Sequence, residues 1–389
     1  MRVLLVANYE PDAQLSMLRY AEFLRRGLEQ RGHEMEVVHP PAILSRLVST
    51  RNPLWKWLGY IDKFVLFPAR LRMKVRSADL VHVCDHSNSS YLRWTGKTPQ
   101  VITAHDLLAV RSALGHFPQN QTRPTGKVLQ RRILAGLASA CHIISVSAKT
   151  KEDLEALLSS KPDIKVIHHS LHGHYEPATA TEIEAARAAC GLNAGDEYLL
   201  HVGGNQWYKN RLGALKIALE LRRYERFRRV KLVMAGAPWP EAMQAFRREH
   251  VFGDAIEVVS PSNEQMRVLY SGALALLFPS LAEGFGWPVL EAQACGCLVI
   301  TSDRAPMTEI AGQGAILIDP ENAAVAAQVI DSRIGEAEVL KLAGWENLKR
   351  FTMDDVIRRY NDVYESVIAD SVRRATEHSG SSGASASSC

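Results

Sequence analysis

The sequence predicts an α/β protein made of two successive parallel α/β domains that face each other across a cleft. Short runs rich in Val, Leu and Ile alternate with amphipathic stretches, and this alternation occurs once before and once after an irregular segment at residues 170–196. The chain has 389 residues, which suits two or three domains, and 47% of them are apolar. That composition provides enough material for buried cores and excludes wholesale disorder.

The first half of the chain opens with a strand, a helix and a second strand. Arg2–Ala7 is an apolar run, an amphipathic stretch follows from Leu15 to Arg31, and Glu34–His39 reads as the next strand after Gly32. Helices are also predicted over residues 126–140 and 148–159. The further strands predicted in this half are Leu80–Cys84, Gln100–Ala104, His142–Val146 and Ile164–His168.

The second half repeats the alternation and ends in a helix. Its predicted strands are Tyr198–Val202, Lys231–Ala235, Ala255–Val259, Ala273–Phe278, Leu298–Thr301 and Ala315–Ile318. We expect domains at residues 1–175 and 176–352, a final amphipathic helix at 353–375, and a disordered Ser/Gly/Ala tail at 376–389.

Charge and hydropathy exclude several classes of protein. The 46 basic and 42 acidic residues give a net charge of +4, so the whole chain lacks the charge of a nucleic-acid binder. The longest nearly apolar run, residues 272–282, is too short to span a membrane, and the N-terminus lacks the pattern of a signal peptide. A cytoplasmic protein is therefore expected.

Residues 51–76 depart from this average. They contain seven basic residues, one acidic residue and five aromatic residues. Such a segment can lie on an anionic membrane surface, which would make the protein peripheral on the inner face of the membrane. The alternative is a pair of helices whose aromatic side chains pack inward and whose charges face water.

The segment from Phe278 to Asp303, FPSLAEGFGWPVLEAQACGCLVITSD, carries the chemistry. Glycines in a loop that opens a helix allow close approach of a phosphate to free backbone N–H groups. Glu283 and Glu291 flank this loop, and carboxylates bind hydroxyl groups through charge-assisted hydrogen bonds. A phosphate between two sets of hydroxyls describes a nucleotide sugar. The alternative is a glycine-rich turn beside two solvated glutamates.

E-G-F-G-W-P-V-L-E resembles the E-x7-E signature of the retaining glycosyltransferases of family 4, which have the GT-B fold. The stretch HVGGNQWYKN, from His201 to Asn210, resembles the second phosphate motif of that family, and T-A-H-D, from Thr103 to Asp106, resembles its histidine motif. The resemblance covers most of the chain. It implies two Rossmann-like domains, with the acceptor in the first domain, the nucleotide-sugar donor in the second, and a last helix that returns to the first domain.

The resemblance also implies roles for individual residues. Glu283, Lys209 and His105 would be catalytic, with Glu283 on the transferred sugar and Lys209 on the donor diphosphate. The residues expected to bind substrate are Glu291, Gly284, Phe285, Gly286, Gly203, Gly204, Asn205 and Asp106. Two features depart from the pattern: Gly204 stands where many members have an arginine, and no glycine-rich loop follows the first strand.

The predicted function is transfer of a sugar from a nucleoside-diphosphate sugar to a glycan or lipid-linked acceptor, with retention of anomeric configuration. The chain contains no Asp-x-Asp pair, so neither a metal nor another cofactor is expected, and nucleic acid is not expected as a partner. The alternatives are a nucleotide-sugar epimerase of the same fold and a non-catalytic protein that binds sugar nucleotides or docks on a membrane. A dinucleotide oxidoreductase is disfavoured because no G-x-G-x-x-G follows the first strand.

Overall fold

The computed structural model describes residues 1–171, 173–193, 195–250 and 252–380. It divides into two compact units. The first unit contains residues 1–168 and the chain from Met353 onward, and the second contains His169–Thr352.

The first unit is built on a six-stranded parallel sheet with the order β2-β1-β3-β4-β5-β6. The strands β1 to β6 are Arg2–Val6, Glu34–Val38, Leu80–Val83, Gln100–Ala104, His142–Ser145 and Asp163–Val166. The four inner strands are almost entirely buried, as strands covered on both faces require, whereas the edge strands β2 and β6 are partly exposed. The helices α1 to α6 are Leu15–Glu29, Leu54–Ile61, Phe67–Val75, Leu108–Ala113, Pro124–Ala138 and Ala148–Leu157.

The second unit has its own six-stranded parallel sheet, with the order β12-β11-β10-β7-β8-β9. The strands β7 to β12 are Tyr198–Gly203, Lys231–Gly236, Ala255–Val259, Ala275–Phe278, Val299–Ser302 and Ala315–Ile318. The helices α7 to α14 are Ala180–Ala189, Arg211–Leu221, Glu241–Glu249, Asn263–Gly272, Trp287–Ala294, Met307–Ala311, Ala323–Arg333 and Ala337–Leu348. One apolar core lies between this sheet and the helices α8 and α13.

The last helix, α15 (Met353–Gly380), packs in the first unit. Its apolar side joins the core formed by β1 and α1, and Tyr360 and Tyr364 are fully buried there. The Tyr360 hydroxyl lies 2.7 Å from the Tyr20 hydroxyl, and the Tyr364 hydroxyl bonds to His82.

The predicted fold class is confirmed, because both parallel sheets form and each predicted strand lies within two residues of its expected ends. Two boundaries differ. The units divide after His168 rather than at residue 175, because His169 stacks on Trp287 of the second unit at 4.5 Å. The last helix continues through residue 380, where the prediction placed the tail, and the Thr376 hydroxyl bonds back to the Arg373 carbonyl. Residues 381–389 of the predicted tail lie outside the described residues.

Candidate functional site

The two segments with the predicted donor residues follow neighbouring strands of the second sheet. Strand β7 pairs in parallel with β10, so both segments leave the sheet at the same, carboxyl edge. Residues 204–210 follow β7, and residues 279–286 follow β10. Ligands of open α/β sheets bind outside this edge.

Lys209 and Glu283 form an ion pair at this edge. The Lys209 Nζ lies 2.7 Å from Glu283 Oε1, and the two side chains are only 17% and 8% exposed. The hydroxyl of buried Ser280 donates to the same carboxylate oxygen at 2.8 Å. Nζ also lies 5.2 Å from the centre of the Phe278 ring, within the range of a cation–π interaction. The predicted diphosphate ligand and the predicted sugar ligand are therefore direct neighbours.

The backbone on both sides of Lys209 is tied to the loop of Glu283. The N–H of Leu281 donates to the Tyr208 carbonyl at 2.7 Å. Asn210 adopts a left-handed conformation with φ of 51°, and its amide donates to the Pro279 carbonyl at 2.9 Å and to the Pro320 carbonyl at 2.8 Å. These bonds hold the lysine in place before any ligand arrives, which is the preorganisation that charge stabilisation requires.

Two glycines are required by geometry. Gly286 precedes α11 with φ of 110°, and a Cβ atom there would lie 2.4 Å from the Met307 side chain. Gly236 ends β8 in register with Gly203, and a Cβ atom on Gly236, whose φ is 141°, would lie 2.2 Å from the Gly203 carbonyl oxygen. The backbone at the edge therefore stays free of side chains where strands β7 and β8 end.

Glu291 lies in α11 and receives a hydrogen bond from a buried tyrosine. The Tyr270 hydroxyl donates to Glu291 Oε2 at 2.8 Å. Burial raises the pKa of Tyr270 well above its ordinary value, and the Glu291 carboxylate raises it further, so the hydroxyl remains a donor. Tyr270 thus orients the carboxylate that the sequence assigns to the ribose.

Two predicted binding residues have their side chains committed within the protein. Phe285 is buried and packs edge-on against His169 and Phe351. Asn205 donates to the Pro238 carbonyl at 2.8 Å and accepts from Arg211. Both side chains thus help to shape the loops, and their predicted roles in substrate binding stay predictions.

Arg211 lies under the loop of Gly203, Gly204 and Asn205. It is 4% exposed, and its Nη1 donates to the Ala237 carbonyl at 2.8 Å and to Asn205. Its Nε and Nη2 atoms are buried and have no hydrogen-bond partner among the described residues. Burial lowers the pKa of the guanidinium. Burial of a charged group with unsatisfied N–H donors lowers the stability of the folded protein. In return, Arg211 positions the loop through its bond to Asn205.

His105 and Asp106 lie in the first unit, after strand β4. The buried His105 ring donates from Nε2 to the Cys84 carbonyl at 2.8 Å and packs edge-on against Tyr20 at 4.8 Å. Burial lowers the pKa of His105, although neighbouring Asp85 opposes that shift, so the ring is neutral near pH 7. The Asp106 carboxylate accepts from the N–H of Leu108, the first residue of helix α4, at 2.9 Å, and its predicted role in substrate binding stays a prediction.

Sequence reasoning missed Tyr270, Ser280 and Gly236. No local motif marks Tyr270 or Gly236, because Tyr270 acts through Glu291 on the next helix and Gly236 acts through the order of the strands. Ser280 lies in the same loop as Glu283, but the sequence does not show that its hydroxyl donates to that carboxylate. The sequence shows that Arg211 directly follows the motif of residues 201–210, but it does not show that the side chain is buried.

Comparison with protein families covers most of the chain. Residues 17–172 match the family model "Glycosyltransferase Family 4", and residues 182–341 match the model "Glycosyl transferases group 1". The chain belongs to the GT-B glycosyltransferases. The family boundary near residues 172–182 lies close to the division between the two units.

Curated relatives of this glycosyltransferase are distant. It is 25% identical over 272 residues to the O-antigen chain mannosyltransferase B of Escherichia coli, which covers 68% of this chain and 70% of that protein. It is 27% identical over 266 residues to the D-inositol 3-phosphate glycosyltransferase of Nocardia farcinica, which covers 65% of this chain and 56% of the relative. The match thus spans little more than half of the second enzyme.

Solved structures share the fold of this glycosyltransferase over nearly its whole length. The sucrose-phosphate synthase of Thermosynechococcus elongatus aligns with a TM-score of 0.72 at 18% identity, over 95% of this chain and all of the other. Alr3699/HepE of Anabaena, solved in complex with UDP-glucose, aligns with a TM-score of 0.67 at 17% identity, over 94% of this chain and all of the other.

The described residues lack two kinds of feature. No helix among them is long and apolar enough to cross a membrane. Within the same part of the chain, no group of three or more His, Cys, Asp or Glu side chains is arranged to hold a metal ion.

Proposed function

We propose that this glycosyltransferase moves a sugar from a nucleoside-diphosphate sugar to a glycan or lipid-linked acceptor, with retention of anomeric configuration. The observation that carries the proposal is the ion pair of Lys209 and Glu283 beside the backbone amides that precede α11. A cation and the backbone N–H groups of a helix start attract a diphosphate, and a neighbouring carboxylate accepts hydrogen bonds from sugar hydroxyls. The fold shared with a protein solved with UDP-glucose supports a nucleotide-sugar donor.

Each residue has a distinct role in the proposed reaction. Lys209 and the amides of Gly284 and Gly286 bind the diphosphate, and Glu291 binds the ribose hydroxyls. Glu283 contacts the transferred sugar once the diphosphate takes its place as the partner of Lys209. His105, neutral and held by the Cys84 carbonyl, lines the side of the sugar or acceptor.

The proposed chemistry breaks the bond between the anomeric carbon and the diphosphate oxygen. The electron pair leaves with the diphosphate, where Lys209 and the amides meet the growing charge. The acceptor oxygen bonds to the anomeric carbon on the face that the diphosphate leaves, and its proton passes to the departing phosphate oxygen. Glu283 stabilises the positive charge that develops on the sugar.

A ligand screen followed by kinetics tests the donor. Thermal shifts with UDP, GDP, ADP and dTDP should single out one nucleotide, because a ligand that binds the folded state raises its stability. With the matching sugar nucleotide, Glu283→Gln should retain nucleotide binding and lose turnover at least a hundredfold, as removal of a preorganised group costs about 10²–10³ in kcat. Glu249→Gln, an exposed carboxylate of α9, is the matched control. The proposal is contradicted if Glu283→Gln turns over at the rate of the unchanged protein. It is also contradicted if the product is an isomerised sugar nucleotide.

We also propose that no divalent metal takes part. The chain has no Asp-x-Asp pair, and Lys209 and the helix start supply positive potential at the diphosphate. Turnover should survive excess EDTA unchanged. Loss of turnover that Mg²⁺ or Mn²⁺ restores would overturn this assignment.

The exposed side of residues 51–76 supports a peripheral membrane location on the inner face. Leu54, Trp57 and Val65 are more than half exposed and, with Ile61, follow the spacing of one helical face. Phe67 is fully buried but Trp57 is exposed, so the aromatic residues do not all pack inward. Exposed apolar residues beside basic ones are typical of segments that lie in an anionic membrane surface.

Vesicle binding tests the membrane proposal. We use vesicles in which one third of the lipid is anionic. The amount of protein that sediments with them should be at least fivefold lower for Trp57→Ser than for the unchanged protein. Trp345→Ser, a comparably exposed tryptophan of α14 in the second unit, should bind like the unchanged protein. Equal binding by neutral and anionic vesicles, or no binding by the unchanged protein, would contradict it.

A further inference from the structure

The first unit contains a cavity of about 330 Å³ whose floor is a chain of carboxamides. The Asn8 amide donates to buried Asp85 at 2.6 Å, and the Asn88 amide donates to Asn8 at 3.1 Å. Gln14 bonds to Asn8, and Gln130 lines the opposite side. Carboxamides both donate and accept, so a fixed row of them suits a ligand with several hydroxyl groups.

One wall of this cavity is aromatic. Trp55, Tyr60 and Phe64 line it, and the rings of Tyr60 and Phe64 stack with their centres 6.0 Å apart. Lys56 and Lys63 also line the cavity, and the charge of Lys63 is paired with Asp12 at 2.9 Å. Aromatic faces beside amides fit the apolar face and the hydroxyl edge of a sugar ring.

A second cavity, of about 590 Å³, shares Phe64 and Ser87 with the first. Arg93 and Arg132 line it, and no Asp or Glu is among its described lining residues. Arginine binds phosphate through two parallel hydrogen bonds, and its planar group is well matched to that geometry. The first cavity, lined by two lysines and one aspartate, carries a net charge of +1, and the second carries +2 from its two arginines. The second cavity is therefore the more basic of the two.

We propose that these adjoining cavities bind the acceptor and that the acceptor is a glycosyl phosphate or diphosphate. The sugar ring occupies the cavity of Asn88 and Trp55, and the phosphate lies at Arg93 and Arg132. This assignment rests on the proposed function, because it names the substrate class of the same transfer. A lipid carrier and a free sugar phosphate share this chemistry.

Binding of acceptor probes, measured without donor, tests the assignment separately from catalysis. The probes are hexose 1-phosphates and the matching methyl hexosides. Their binding is measured by saturation-transfer NMR and titration calorimetry. A hexose 1-phosphate should bind at least tenfold more tightly than its methyl hexoside, and Arg132→Ala should remove that difference. Arg131→Ala is the matched control, because Arg131 is exposed on α5 as Arg132 is but does not line the cavity.

A second pair of variants tests the sugar position. Trp55→Ala should weaken both probes at least fivefold, whereas Trp57→Ala, on the exposed side of the same helix, should leave both unchanged. Prenyl-linked glycosyl phosphate in micelles distinguishes the two sources: tighter binding that Trp57→Ala reduces indicates a lipid carrier, and equal binding indicates a free sugar phosphate. Both of these outcomes support the proposal.

Three results would overturn it: no binding by any probe, equal binding of the phosphate and the methyl hexoside, or equal effects of Arg131→Ala and Arg132→Ala. Thermal shifts with the nucleoside diphosphates are measured on every variant. If the nucleoside diphosphates still shift the melting temperature but no acceptor probe binds, this inference alone is rejected. If the unchanged protein binds neither nucleotides nor acceptor probes, the proposed function is rejected.

Discussion

Replacement of Lys209 by methionine removes a charge while it keeps a long side chain over the Phe278 ring. The ion pair with Glu283 is short, 2.7 Å, and mostly buried. Unit charges 4 Å apart attract by about 4 kcal/mol at an effective dielectric constant of 20, and desolvation of both groups offsets much of this. Because Ser280 still donates to the carboxylate, we expect a net loss of about 1–3 kcal/mol in unfolding free energy.

The same change should affect the rate more than the stability. Lys209 is argued to meet charge that grows on the diphosphate, so its loss should lower kcat by about 10²–10³, or about 2.7–4 kcal/mol of transition-state stabilisation. Urea unfolding gives the first quantity, and release of nucleoside diphosphate under saturating donor gives the second. Lys216→Met, an exposed lysine on α8, should change neither. A kcat for Lys209→Met within twofold of the unchanged enzyme would refute the reasoning.

Three further predictions concern binding, loop position and pH. Tyr270→Phe removes the hydrogen bond to Glu291 and should raise the KM for the sugar nucleotide about threefold to tenfold with little change in kcat. Tyr198→Phe, which loses an equally buried hydroxyl, should lower stability alone. Equal KM values for the two variants would contradict the role of Tyr270. Arg211→Met removes the donor to both Asn205 and the Ala237 carbonyl, so donor KM should rise at least fivefold, and an unchanged KM in the folded variant would contradict that. Burial lowers the pKa of His82 to about 3, so between that value and about 6.5 the unfolded chain binds a proton that the folded one does not. Stability should therefore fall as pH drops through this range, by at most about 1.4 kcal/mol per unit from this group, and more gently in His82→Gln; parallel curves from urea unfolding at several pH values would contradict it.

Much of the fold could be predicted from local patterns. Most strands are short, nearly continuous apolar runs, and the intervening helices carry an apolar stripe, so the two periodicities mark the elements with little help from tertiary contacts. The end of α15 was harder to predict, because the small and polar residues after Arg374 resemble a linker although the helix continues to Gly380.

The site was predictable where its residues are close along the chain. Glu283 and Gly286 belong to one loop and helix start, and their spacing already indicates a phosphate site between hydroxyl ligands. Contacts that depend on strand order could not be predicted. Tyr270 meets Glu291 because α10 packs against α11, and Gly236 is constrained because β8 lies beside β7.

The same limit applies to the direction of side chains. A sequence shows that Phe285 and Asn205 belong to loops with the motif, but it does not show which way their side chains point. The Phe285 side chain packs in an aromatic cluster, and the Asn205 side chain bonds to the segment after β8. These contacts depend on tertiary packing, which the motif does not contain.

The configuration of the sugar released from the donor tests the central claim most directly, because it needs no acceptor. Proton NMR, recorded before mutarotation, follows slow hydrolysis of the sugar nucleotide selected by thermal shift. A retaining site with Lys209 on the diphosphate and Glu283 on the sugar predicts that the first sugar to appear has the donor's anomeric configuration, and that Glu283→Gln releases it at least a hundredfold more slowly. An inverted first product, or release at an equal rate by Glu283→Gln, would contradict the account.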